Sequence, residues 1–160
     1  MKTNSSFLFF VTLIVVAFVR TSMANAEEIP LTACPDPVQA TLRSNLHGGT
    51  LDEVNLIAIE GRSLYIAEVD LPGGRDLRIH IGPDGSLLKT REEITLTETP
   101  AAVQEAVRRL MPAGGRLDDV DREVVAGKTT FRVEIDRPQS RDLQLHLAED
   151  GAVLQQRDDS

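Results

Sequence analysis

The chain has 160 residues, with 25 acidic against 17 basic side chains, a formal charge of −8, no tryptophan and one cysteine. Nucleic acid and anionic membrane surfaces attract a positive field, so a chain this acidic is not expected to bind either. A single cysteine excludes an internal disulfide, and stability has to come from packing.

From the N-terminus, Lys2 precedes an apolar run at residues 7–19, and small residues follow to Ala24, Asn25 and Ala26. This is the pattern of a secretory signal with an A-x-A processing point. A signal peptide is therefore expected over residues 1–26, with the mature chain starting at Glu27. The run is short for a membrane span, which needs about 20 apolar residues, so no membrane insertion is expected after cleavage. The expected location is periplasmic or secreted. Loss of Lys2 and Arg20 leaves 17 − 2 = 15 basic residues against 25 acidic ones, a charge of −10. Residues 27–35 read as an N-terminal segment. Leu31-Thr32-Ala33-Cys34 within it resembles a bacterial lipobox, but Arg20, Glu27 and Glu28 separate it from the apolar run. Cys34 is accordingly expected to have a bland role rather than to be acylated.

Next comes a helix signal, with Asp36 as N-cap, Pro37 at the first helical position and Gln39 at capping-box spacing. Val38, Leu42 and Leu46 fall on one stripe, and Gly48-Gly49 end it. Four strands are expected at 54–60, 63–70, 75–82 and 86–90, divided by Gly61, Pro72-Gly73-Gly74 and Pro83-Asp84-Gly85. A second helix follows Thr99-Pro100, with Val103, Val107, Leu110 and Met111 on its apolar side and Pro112 at its end. Phe131, Val133 and Ile135 alternate with Thr130, Arg132 and Glu134, and Leu143, Leu145 and Leu147 alternate with Gln144 and His146. Such alternation describes strands with one apolar face, which the helix is expected to cover.

The second half repeats the first. Residues 51–91 lie over 117–157 without a gap at a shift of 117 − 51 = 66, including Leu51/Leu117, Gly61/Gly127, Glu68/Glu134, Pro72/Pro138, His80/His146 and Asp84-Gly85/Asp150-Gly151. A unit longer than the usual solenoid period points to two copies of a small domain. The fold expected is α+β: two repeated modules at 36–94 and 95–160, each a helix followed by a four-stranded antiparallel meander packed on it. Each module is marginal alone at this size. The pair is expected to dock tightly or to align their sheets into one.

The helix at Pro37-Val38-Gln39-Ala40-Thr41-Leu42, the strand Gly61 to Val69, the strand Leu77-Arg78-Ile79-His80-Ile81 and the turn Asp84-Gly85-Ser86 together resemble the PepSY and PepSY-like domains of exported bacterial proteins. Tandem pairs of such modules are also similar to the beta-lactamase-inhibitor-protein-like architecture, whose members include envelope assembly lipoproteins. The resemblance implies a binding or regulatory module without catalysis, of a kind associated with restraining peptidases or with periplasmic sensing. The alternative it implies is an envelope assembly or scaffold protein.

The chemistry-bearing residues agree with a non-enzyme. Metal-ligand spacing, a glycine-rich phosphate loop and a G-x-S-x-G elbow are all missing from the sequence, so no catalytic residue, cofactor or metal is expected. His80 and His146 read as a paired surface position, with a weak metal or proton sensor as the sharper alternative. The two Asp-Gly pairs read as hairpin turns rather than calcium loops. Glu123 and residues 118–121 read as a solvated face. The candidate contact residues come from the difference between the halves: Leu56, Leu64 and Ile66 in the first are matched by Arg122, Thr130 and Arg132 in the second. Apolar area on both faces of a small sheet has to be covered, so a protein partner is expected there. Its identity and the oligomeric state are not legible.

Overall fold

The computed structural model describes residues 25–59, 61–138 and 140–158; the expected signal peptide lies outside them except for Asn25 and Ala26. The strands are β1 (Asn25–Glu28), β2 (Thr50–Ile59), β3 (Arg62–Leu71), β4 (Arg75–Ile81), β5 (Leu87–Glu93), β6 (Arg116–Val125), β7 (Lys128–Asp136), β8 (Leu143–Ala148) and β9 (Val153–Asp158). Helix α1 (Asp36–Ser44) precedes β2 and helix α2 (Ala101–Leu110) precedes β6. Each strand pairs antiparallel with its neighbour in sequence, so a single nine-stranded sheet runs from β1 to β9 in chain order.

Local chemistry accounts for these elements. Both helices start behind a proline, Pro35 or Pro100, and neither N-cap makes a side-chain cap bond. The capping box expected at Asp36 and Gln39 is not formed. Asp36 is already helical, and the Gln39 amide reaches back to donate to the Cys34 carbonyl at 2.8 Å. Gln104 makes the same reach to the Thr99 carbonyl, at 2.9 Å. The capping box lies instead on the short 3-10 turn Leu96–Glu98, where Glu98 accepts from the Thr95 amide at 2.7 Å. Between β6 and β7 the two loop residues, Ala126 and Gly127, have φ of 50° and 77°. That is the pattern of a type I′ hairpin, whose twist suits the flanking strands.

Paired residues on adjacent strands present their side chains to one face, and the registers therefore sort the sheet. On one face, Tyr65, Ala67, Val69, Leu77, Ile79 and Ile81 bury against Val38 and Leu42 of α1. On the same face, Phe131, Val133, Ile135, Leu143, Leu145 and Leu147 bury against Val103, Ala106 and Val107 of α2. The continuity of that face follows from the register Leu77↔Glu92, Glu92↔Arg122 and Arg122↔Phe131. Each fully buried Leu, Ile, Val or Phe contributes about 1.5–3 kcal/mol. The hairpin turns lock onto the helix starts: a Cβ at Gly85 would meet Pro37 at 2.7 Å and one at Gly151 the Ala102 carbonyl oxygen at 2.5 Å. The Thr41 hydroxyl donates to the Gly85 carbonyl at 2.7 Å.

This architecture corrects the expected fold class. The chain is not two repeated modules, each a helix with its own four-stranded meander; the described residues form one mostly-β antiparallel sheet of nine strands with two short α-helices. Two pairings overturn the separate modules, the first of them by joining the two sheets into one, as the aligned-sheet alternative expected. β5 continues into β6 over Lys89↔Val125 to Glu93↔Asp121, so neither strand is a module edge. β1 adds a ninth strand on β2, with Ala26↔Ile57 and Glu28↔Asn55, in a stretch read from sequence as leader and N-terminal segment. The physical reason is that open strand edges carry unpaired backbone groups, and here the neighbouring segments satisfy them. The expected strands are also extended: β2 begins at Thr50 and β5 runs to Glu93.

Candidate functional site

Among the described residues, no helix covers the face opposite α1 and α2. Its side chains form cross-strand rows: Glu28, Asn55, Ile66, His80, Lys89 and Val125 in one, and Glu53, Glu68, Arg78, Arg91, Glu123 and Thr130 in the next. A third row carries Glu93, Asp121, Arg132, His146 and Gln155, and a fourth Asp119, Glu134, Gln144 and Arg157. The face is dished. Hollows of about 380 Å³ near β1–β5, 150 Å³ at β3–β6 and 200 Å³ at β5–β9 follow one another across it, and all three include Arg91 in their walls.

Charges on this face are tied together at its middle. Lys89 Nζ lies 3.0 Å from Glu123 Oε1, and Arg132 Nη1 lies 3.3 Å from the same oxygen. Arg91 Nε donates to Asp121 at 2.7 Å, and its Nη2 lies 3.7 Å from Asp119. Asp121 and Glu123 are 5% and 6% exposed, which overturns their reading as a solvated face. The long cationic side chains lean over them across the strands, and among the described residues no buried polar side-chain atom lacks a partner.

Burial works against the charge of Glu123, but the hydrogen bond and charge of Lys89, with Arg132 and His146, outweigh it and hold its carboxyl below the usual range. Asp119 moves the other way, pushed up by burial and by the neighbouring Asp121 and Glu93. His80 is pushed down by burial and by the cations Lys89 and Arg78.

The candidate contact residues separate. Leu64 pairs with Ile57, and Ile66 with Asn55 and His80, which places Leu64 and Ile66 on the open face, half-buried beside Ile57. Leu56 pairs with Tyr65 and packs from the helix side against the first core. Two of the three thus share a surface and Leu56 does not. His80 and His146 both lie on the open face but on β4 and β8, four strand spacings or about 19 Å apart, so they do not form one site. His146 Nε2 lies 2.9 Å from the Thr130 hydroxyl. Sequence reasoning missed the carboxylates at the centre. The signal that marks them is the facing of Lys89 and Arg91 with Asp121 and Glu123, which requires knowing that β5 pairs with β6. Asp84 accepts from the Ser86 amide at 3.0 Å and its hydroxyl at 2.6 Å, which closes a hairpin turn. Among the described residues no three His, Cys, Asp or Glu side chains gather to hold a metal, and no helix is long and apolar enough to cross a membrane.

No family model and no curated relative matches the chain. Solved structures do match in fold. A protein from Bacteroides eggerthii, provisionally described as periplasmic, superposes with a TM-score of 0.63 at 23% identity, covering 78% of this chain and 88% of its own. A DUF2874 family protein from Bacteroides uniformis gives 0.62 at 23%, covering 78% and 89%. A BLIP-like protein from Bacteroides fragilis gives 0.61 at 20%, covering 81% and 87%. The chain thus has the fold of these BLIP-like and DUF2874 proteins.

Proposed function

We propose that this protein is an exported, periplasmic, non-enzymatic binding module that engages a protein partner through the open face of its sheet. The observation that carries the reading is the dished, helix-free face, with an apolar end at Ile57, Leu64 and Ile66 and a centre of ion-paired side chains. An apolar anchor beside a polar, hydrogen-bonding surface is the anatomy of a protein interface. The location rests on the leader pattern at residues 1–26 and accords with the provisional description of the Bacteroides eggerthii protein.

Two finer roles use the same face. In the PepSY-like reading the partner is a peptidase, restrained or sensed by the module. In the scaffold reading, which follows from the resemblance of the sequence to the beta-lactamase-inhibitor-protein-like architecture, it is a component of envelope assembly. A photo-crosslinking residue at position 66, with a control at the exposed helix position 109, tests both in intact cells. Adducts from position 66 alone support the open face, and their identity separates the roles. Equal adducts from both positions, or none from position 66, would sink the reading.

A further inference from the structure

The ladder between β5 and β6 differs from the others in what its side chains do. The two apolar clusters are separate: no residue of β5 belongs to either, and β6 contributes only Val120. Among the ten paired residues at 89–93 and 121–125, Val124 and Val125 alone are apolar; they lie at one end, and neither is buried. On the open face the pairing is held by Lys89 with Glu123 at 3.0 Å and Arg91 with Asp121 at 2.7 Å. On the helix face Glu92 takes Arg122 at 2.8 Å and His47 at 3.4 Å. The Ile94 amide closes the far end on the Val120 carbonyl at 2.8 Å.

We infer that this ionic seam is a hinge: it opens locally while both apolar cores stay intact, and its opening sets the shape of the open face. A ladder with a core on one side resists opening because apolar surface would be exposed. This one exposes no apolar core: the covered carboxylates and their cations are rehydrated, and salt shields them once the strands are apart. Its regulatory meaning rests on the open-face reading above. Arg91 and Asp121 line the hollows as well as holding the seam, so a partner that offers charged groups there exchanges with the same ion pair. Binding and seam opening are then linked, each shifting the other by the same factor.

Native-state hydrogen exchange on the whole protein tests the hinge without any partner. The amides of 89–93 and 121–125 that cross the seam are expected to exchange about tenfold or more faster than those between β2 and β3 or between β7 and β8. High salt should widen that gap, and Glu123→Gln should widen it at low salt. Exchange of seam and core amides together, as one cooperative unit unaffected by salt, would overturn the hinge. The salt comparison on the unaltered protein stands even if Glu123→Gln does not fold. A negative crosslinking result at position 66 would remove the binding reading and leave this exchange result untouched.

Discussion

Replacing Gly151 and Gly127 by alanine, one at a time, separates two costs that usually arrive together. Both glycines have positive φ, 79° at Gly151 and 77° at Gly127, and a non-glycine residue held there costs about 1–2 kcal/mol. Only one of them is crowded. A Cβ at Gly127 meets nothing within 4 Å, whereas at Gly151 it lies 2.5 Å from the carbonyl oxygen and 2.9 Å from the carbonyl carbon of Ala102. That obstacle is the first turn of α2, which cannot swing away as a side-chain end would, and overpacking of this sort adds about 1–3 kcal/mol. Gly127→Ala is therefore expected to cost about 1–2 kcal/mol and Gly151→Ala about 2–5 kcal/mol. Urea unfolding followed by circular dichroism reads both from the midpoint at unchanged slope. Equal losses in the two variants would refute the claim that the turn is seated on the helix start.

Ala126 holds a φ of 50° in the same hairpin, so Ala126→Asn is expected to stabilise by about 0.5–1 kcal/mol, read as a raised melting temperature. Acid should weaken the fold through Glu123. Its folded pKa is depressed, so the stability it contributes is present above its unfolded value and lost as pH falls through the folded one. Glu123→Gln should accordingly flatten that part of a stability-against-pH curve. Asp119 has the opposite sign. With its folded pKa raised, its ionisation takes stability away as pH rises through the carboxylate range, so Asp119→Asn should stabilise near neutral pH and lose that advantage in acid; the same titration reads it, and a loss at neutral pH would count against this account. Leu64→Ser with Ile66→Ser changes half-buried open-face residues outside both buried cores. It should cost no more than about 1–2 kcal/mol of stability while abolishing adducts from a crosslinking residue moved to position 57 on the same face.

What the sequence revealed depended on how local the cause was. Alternation placed Phe131, Val133 and Ile135 on the core face, and all three are buried, because a strand's period is fixed within the strand. Likewise the glycine at the Asp84-Gly85 turn was legible from turn chemistry alone. β1 was not, since Asn-Ala-Glu-Glu has no strand propensity and pairs only because β2 offers it an edge. The burial of Asp121 and Glu123 was illegible for a related reason. In isolation the charges of β6 suggest water, and only the facing cations of β5, some 30 residues away, make them an interior. Leu56 shows the limit from the other side. Its difference from Arg122 suggested a contact surface, although its parity with Val54 already assigned it to the helix face, where it packs.

The strand order carries a consequence for how the molecule comes into being. Because each strand lies beside the one made just before it, a chain delivered end-first, from a ribosome or through a channel, never has to hold a strand open for a partner that has yet to arrive. The connections are short loops except for the two that carry α1 and α2, which keeps the entropic cost of most steps low. At each moment the sheet has one growing edge, and the segment next to emerge is the one that covers it. Assembly can thus proceed as elongation, from the first hairpin to the last, with little time for an unfinished edge to meet another chain.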